Sequence, residues 1–286
     1  MRNEDRLRAA KVAEVSALVN KQTESANPIE IPTQYQIVDL PSKGEFYPDG
    51  HPWKDKESVE MRFMTAKEED ILTNKSFIQK GVVLDKLLKA IIVDKVDLDS
   101  VLLCDKSALI VAARISGYGS EYKVDFACPA CNKRSKFVFD LDLFANVYLD
   151  EETLEFEHVQ RTVNGTFVVE LPRTKVLAEF RLLTGTDEKK LSSLTENKKN
   201  NNLPETGVTD QLKQYVLSID GNSDRLFVTK FIDNTLPAFD SRFLRAIYKE
   251  ISPRVSNKQE FTCQFESCGE TQAVEVPLTV EFFWPE

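Results

Sequence analysis

The chain is 286 residues long, 42% hydrophobic and 9% aromatic, enough apolar material for one large domain or two modest ones with a buried core. A formal charge of -9 excludes a general attraction to phosphate backbones or anionic lipid, so any nucleic-acid role would need a local basic patch. No run approaches the roughly 18 to 20 apolar residues of a membrane-spanning helix, and the first ten residues carry arginines and acids in place of a signal peptide's apolar region.

In chain order, residues 4–22 set Leu7, Ala10, Val15, Leu18 and Val19 near one side of a helix whose other positions are mostly charged or small. Residues 23–34 hold Pro28 and Pro32 among polar residues without helical period, which reads as an extended linker. Residues 1–34 are thus an N-terminal arm, free to dock on a neighbouring subunit or on its own domain, and 35–286 a single domain. That domain opens with turns at Leu40-Pro41-Ser42-Lys43-Gly44 and Tyr47-Pro48-Asp49-Gly50. Val59, Met61 and Phe63 alternate along a strand at 58–63, and Thr65 with Glu68 has the capping-box spacing that starts a helix.

Residues 82–93 form a strongly apolar helix with Asp85, Lys86 and Lys89 on its wet side. Asp105 is placed to cap the next, 106–115, whose Leu109, Ile110, Ala112 and Ala113 allow close packing and which Gly117 and Gly119 end. Residues 65–116 therefore make a helical layer. Strand-rich segments follow at 121–143 and 163–171, the second with Phe167 and Val169 on one face. Residues 176–183 read as a short helix and 184–207 as a polar, mobile insertion rich in lysine and asparagine. Helices are expected at 210–219, 224–236 and 241–251, the last with Phe243, Leu244, Ile247 and Ile251 on one stripe and Pro253 as its stop. Strands at 260–263 and 271–276 close the chain.

Four of the five cysteines come in pairs. Cys128-Pro129-Ala130-Cys131 lies between Tyr122-Lys123-Val124-Asp125-Phe126 and Lys136-Phe137-Val138-Phe139, alternating flanks that make a half-buried hairpin with the cysteines at its turn. Cys263 and Cys268 lie likewise in a hairpin spanning 259–278. Two and four intervening residues are ligand-pair spacings for zinc, which takes four thiolates tetrahedrally at about 2.3 Å, and in a reducing cytosol such pairs point to metal before disulfide. Cys128, Cys131, Cys263 and Cys268 therefore read as one structural zinc site, a crosslink tying the chain's end to its middle. Unbound buried thiols and redox pairing are the other readings of this set. His51 and His158 are the only histidines and neither stands beside a pair, so no open catalytic position is indicated. The lone Cys104 reads as a small apolar filler. Each pair also follows an aliphatic helix ending in Gly or Pro and precedes an alternating strand, which suggests two copies of a helix-hairpin unit, 114–141 and 248–278, joined by the metal. The fold class that follows is α+β: a helical layer plus β-hairpins joined in a zinc-ribbon-like four-cysteine site.

The blocks Leu40-Pro41-Ser42-Lys43-Gly44, Val59-Glu60-Met61-Arg62-Phe63-Met64-Thr65, Glu68-Glu69-Asp70-Ile71-Leu72-Thr73-Asn74 and Arg114-Ile115-Ser116-Gly117-Tyr118-Gly119, running in order into the first cysteine pair, resemble the baseplate hub proteins of T-even-type phages. The likeness is strongest over residues 35–140 and continues at Leu171-Pro172 and 180–185. It implies a structural or assembly component of the baseplate hub of a contractile-tailed phage, found in the virion tail and assembled in the host cytoplasm, with other baseplate and hub proteins as partners. The family brings no catalytic residue with it. The residues themselves show no nucleophile beside a base and no glycine-rich phosphate loop, so an enzyme is not expected, nor a small-molecule substrate, membrane or nucleic-acid partner. The alternative is a zinc-dependent nucleic-acid-binding module, favoured by Lys133, Arg134 and Lys136 beside the first pair and opposed by Glu266, Glu270 and the chain's acidity.

Overall fold

The computed structural model describes residues 33–204, 206–265, 267–276, 278 and 280–283; the expected helix at 4–22 and nearly all of its linker lie outside them. Strands β1 (Tyr35–Asp39) and β2 (Ser58–Arg62) pair antiparallel. Opening the domain with the turns at 40–44 and 47–50 missed β1 before them, because Ile37 points outward and only Val38 of its five residues is buried, too short an alternation to register as a strand. After β2 come α1 (Ala66–Leu72), α2 (Lys75–Gln79) and α3 (Val83–Ile91). The expected capping box heads α1. Its Glu68 carboxylate accepts from the Thr65 N–H at 2.9 Å and from both arms of the Arg62 guanidinium at 3.0 and 2.6 Å.

α3 buries Val83, Leu87, Leu88 and Ile91. The next helix, α4 (Leu103–Tyr118), starts earlier than expected, so Asp105 is not its cap. Asp105 instead lies in the first turn, wholly buried, and accepts from the Ser42 N–H at 3.0 Å, the Ser42 hydroxyl at 2.5 Å and the Tyr47 hydroxyl at 2.7 Å. A short acid near a helix start looks the same in sequence whether it caps its own helix or anchors a distant loop; the tertiary approach of Ser42 decided between them. Helix α4 ends at Gly119, whose φ of 81° a side chain rarely adopts.

Strands β3 (Glu121–Ala127) and β4 (Arg134–Asp140) form the expected hairpin. There follow β5 (Ala145–Val147), α5 (Glu151–Phe156) and a four-stranded sheet in the order β6 (Gln160–Arg161), β7 (Phe167–Glu170), β8 (Leu177–Phe180) and β9 (Val216–Ile219). The expected helix at 176–183 is therefore strand β8. Its short apolar run fits either period, and pairing with β7 and β9 settled it: Ala178 and Phe180 are buried while Glu179 accepts from Thr166, just before β7, at 2.7 Å and from Ser218 of β9 at 2.9 Å. Between β8 and β9 lie α6 (Gly185–Asn200) and α7 (Gly207–Tyr215). Residues 184–207 are thus helical over most of their length, begun by a Thr184–Asp187 capping box; α6 buries only Gly185 and Asp187, so its polar surface shows no apolar period. The helix expected at 210–219 stops at Tyr215, and its last four residues are β9.

The chain continues through α8 (Arg225–Asn234), α9 (Ala238–Ile251), β10 (Arg254–Ser256) and the hairpin β11 (Lys258–Thr262) and β12 (Thr271–Glu275). Leu244, Ile247 and Ile251 of the expected stripe are buried. β10 returns to pair with β5.

The duplication extends well beyond the helix-hairpin units expected from the cysteines. Gln36-Ile37-Val38-Asp39-Leu40-Pro41 recurs as Phe167-Val168-Val169-Glu170-Leu171-Pro172, and Val59-Glu60-Met61-Arg62-Phe63-Met64-Thr65 as Ala178-Glu179-Phe180-Arg181-Leu182-Leu183-Thr184. The strand registers match, Ile37 facing Glu60 as Val168 faces Glu179. Arg181 forks Asp187 at 2.7 and 2.9 Å as Arg62 forks Glu68. Ile92 bridges to Met61 where β9 runs beside Phe180. Wholly buried Asp240, in the first turn of α9, accepts from the Arg173 and Thr174 N–H groups at 2.9 Å and the Thr174 hydroxyl at 2.8 Å, just after Leu171-Pro172, as Asp105 does just after Leu40-Pro41. Each half ends in a helix followed by a cysteine hairpin.

Candidate metal centre

At the first turn the chain reverses between β3 and β4 within six residues. The Cys128 N–H donates to the Lys133 carbonyl at 2.9 Å and the Asn132 N–H to the Cys128 carbonyl at 2.7 Å, with Asn132 in the left-handed region at φ 58°. At the second turn the Cys263 N–H donates to the Glu270 carbonyl at 2.9 Å, the Cys268 N–H to the Phe265 carbonyl at 2.8 Å, and Gly269 takes a φ of 57°. Both turns curl their backbone amides toward sulfur.

Contacts between the hairpins bring the turns together. The Gln259 side chain bonds the Asp140 backbone through both its amide groups, accepting from the N–H at 3.1 Å and donating to the carbonyl. Gln264 Nε2 donates to the Lys136 carbonyl at 3.2 Å, and the rings of Phe137 and Phe261 meet edge-on at 5.0 Å. Behind the first hairpin, buried Arg114 donates to the carbonyls of Gly119 (2.8 Å), Glu121 (3.2 Å) and Phe282 (3.0 Å), clamping the end of α4, the start of β3 and the C-terminal turn.

All four sulfurs lie within 4.8 Å of one another. Cys128 Sγ is 4.0 Å from Cys268 Sγ and Cys131 Sγ 3.8 Å from Cys263 Sγ. A disulfide requires about 2.05 Å, whereas four sulfurs placed tetrahedrally at about 2.3 Å from a common centre stand about 3.8 Å apart. Cys128 and Cys263 are buried, Cys131 and Cys268 half-buried. The Cys131 and Ala130 amides lower the Cys128 thiol to about 7. The Phe265 amide favours the Cys263 thiolate in the same way, but burial and the three neighbouring thiols outweigh it and push that group up to about 12. Four thiolates so close would repel one another strongly; a divalent cation at their centre reverses that cost. The donor set, its tetrahedral spacing and its burial thus fit zinc.

The other sequence candidates fall elsewhere. Cys104 is partly buried, its Sγ 3.7 Å from Asp105 Oδ1, and burial pushes its thiol well above the usual range, as suits a filler. His51 accepts at Nδ1 from the Trp53 N–H and meets Ser100 Oγ at 2.9 Å through Nε2. Beside the first cysteine turn, Lys133 donates to Ser267 Oγ at 3.2 Å and lies over the Phe265 ring, while Arg134 pairs with Asp125 at 3.4 Å. Sequence reasoning missed the paired acceptors Asp105 and Asp240; the signal available for them was the recurrence of Leu-Pro after each first strand.

A family model described as T4 bacteriophage base plate protein matches residues 33–284. No curated protein and no solved structure matches the chain. Among the described residues no helix is long and apolar enough to cross a membrane.

Proposed function

This chain belongs to the family of T4 bacteriophage base plate proteins, structural parts of the phage tail, and we propose that it is a rigid subunit or assembly factor of the base plate hub, stapled by one zinc ion and acting through contacts with other base plate proteins. The observation that carries this reading is the set of four sulfurs within 4.8 Å. Cys128, Cys131, Cys263 and Cys268 would fill every position of a tetrahedral ion, leaving none for water or substrate, so the metal would supply a crosslink and no catalysis. Residues 1–34 are the further segment we assign to partner contacts.

The nucleic-acid alternative has less support. Lys133 and Arg134 already have partners within the hairpins, and the net charge of -9 opposes phosphate binding. The test is to purify tails and tail-assembly intermediates, probe them for this chain, and measure zinc in the same material. The chain with one zinc per copy supports the proposal; a chain absent from both preparations overturns the base plate role, and one present without metal overturns the staple.

A further inference from the structure

The two halves begin with the same strand pair but finish its outer edge differently. In the second half, Val168 of β7 pairs outward with Gln160 of β6. Its counterpart Ile37 in β1 has no such neighbour: among the described residues β1 pairs only with β2. The Leu40 N–H bonds the Glu57 carbonyl at 2.8 Å, and antiparallel alternation from that point turns the Val38 and Gln36 backbone toward β2 and the Ile37 backbone away from it. Ile37 is 76% exposed. Beside this edge runs a groove of about 390 Å³, floored by Val111, Ala112 and Ile115 of α4, whose charged residues, among those described, are Asp39 and Asp142. Asn146 closes one end, donating to the Asp39 carbonyl at 3.0 Å.

We propose that the open edge of β1 receives a strand from another base plate protein, an extended segment whose apolar residues face the α4 floor and whose Lys or Arg side chains meet Asp39 and Asp142. This rests on the base plate reading above. Backbone bonds to Ile37 would supply the attachment, and the acidic lining its register. The other half shows that this strand pair accepts a short added strand: β6 has two residues, one of them Arg161, which pairs with Glu45 at 2.6 Å. Charge selects a basic partner over a second copy, because the same edge of a second copy, Tyr35-Gln36-Ile37-Val38-Asp39, would bring another carboxylate and no Lys or Arg to meet Asp39 and Asp142.

Ile37→Pro removes the outward N–H without touching a bond to β2, a change that edge strands tolerate. With wild-type chain recovered in purified base plates as the control, Ile37→Pro is expected at less than about a tenth of that level, with melting temperature and metal content unchanged, and the double variant Asp39→Lys, Asp142→Lys is expected to be depleted as strongly. Should Ile37→Pro not fold, the wild-type chain decides: its Ile37 amide should exchange about tenfold or more slower in base plates than in the free chain. Wild-type recovery of Ile37→Pro overturns the proposal. So does slow Ile37 exchange in the free full-length chain, whether it is a dimer, meaning a second copy covers the edge, or a monomer, meaning its own residues do. A wild-type chain missing from base plates would instead sink the base plate reading, and this proposal with it.

Discussion

Cys131 and Cys263 are 132 positions apart in the chain, yet their sulfurs stand 3.8 Å from each other. The hairpins that carry them are already joined by Gln259, Gln264 and the Phe137–Phe261 contact. Contacts of the fold thus favour the same approach of the two hairpins that an ion shared by the four sulfurs would lock.

If that ion is zinc, purified native protein will contain one per chain by elemental analysis, and Cys128→Ser or Cys263→Ser will each lose it. Chelation should lower stability by on the order of 4 kcal/mol, the loop-closure worth of a crosslink spanning more than a hundred residues, read as a fall in melting temperature. Metal-free protein that melts at the same temperature would contradict the staple.

Asp105→Asn and Asp240→Asn should each cost about 2 to 3 kcal/mol in urea unfolding, because an amide nitrogen cannot accept and each site presents three donors to its carboxylate. Similar losses at the two positions would support the duplication; a large loss at one and none at the other would count against equivalent roles.

The Arg62 fork, with help from Thr65, holds the Glu68 carboxyl down to about 2 against its ordinary 4.5. A depressed acid stabilises the fold fully above its unfolded value, and that contribution is lost as pH falls from about 4.5 toward 2. Glu68→Gln should flatten this acid limb of the stability profile and cost about 3 kcal/mol at neutral pH, since it leaves Arg62 without its buried partner. An unchanged acid limb would rule out Glu68 as its source.

Gly44 has a φ of 71°, and a Cβ there would fall 2.4 Å from the Lys56 nitrogen and 2.5 Å from the Trp53 carbonyl oxygen. Gly44→Ala is expected to destabilise by about 3 kcal/mol. Gly50→Ala, with a similar φ of 83° but open space around it, should cost about 1 kcal/mol, and thermal melts of the pair separate steric clash from backbone strain.

Features that depend on near neighbours in the chain were legible before the structure. The Thr65–Glu68 box, the apolar stripes of α3 and α9 and the alternating flanks of both cysteine turns each declare themselves within a few residues. The four cysteines could be grouped across a long separation because two close pairs together supply the four thiolates that one tetrahedral ion takes. Strand β8 could not be told from a helix, since four residues of mixed period acquire a meaning only beside β7 and β9. Helix α6 was hidden because it turns almost no apolar surface inward.

The sequence by itself determined where α1 begins, which residues alternate along the cysteine hairpins and which thiols are suited to one metal, because these follow from local periodicity and from ligand chemistry. Only the tertiary structure decided that Asp105 anchors a loop, that 177–180 is a strand, that the strand pair recurs in register in both halves and that, among the described residues, β1 pairs only with β2. Those outcomes depend on which backbone donors and apolar faces meet after the chain has closed, and residues more than sixty positions apart, such as Ser42 and Asp105, leave no sign of that meeting in the order of the letters.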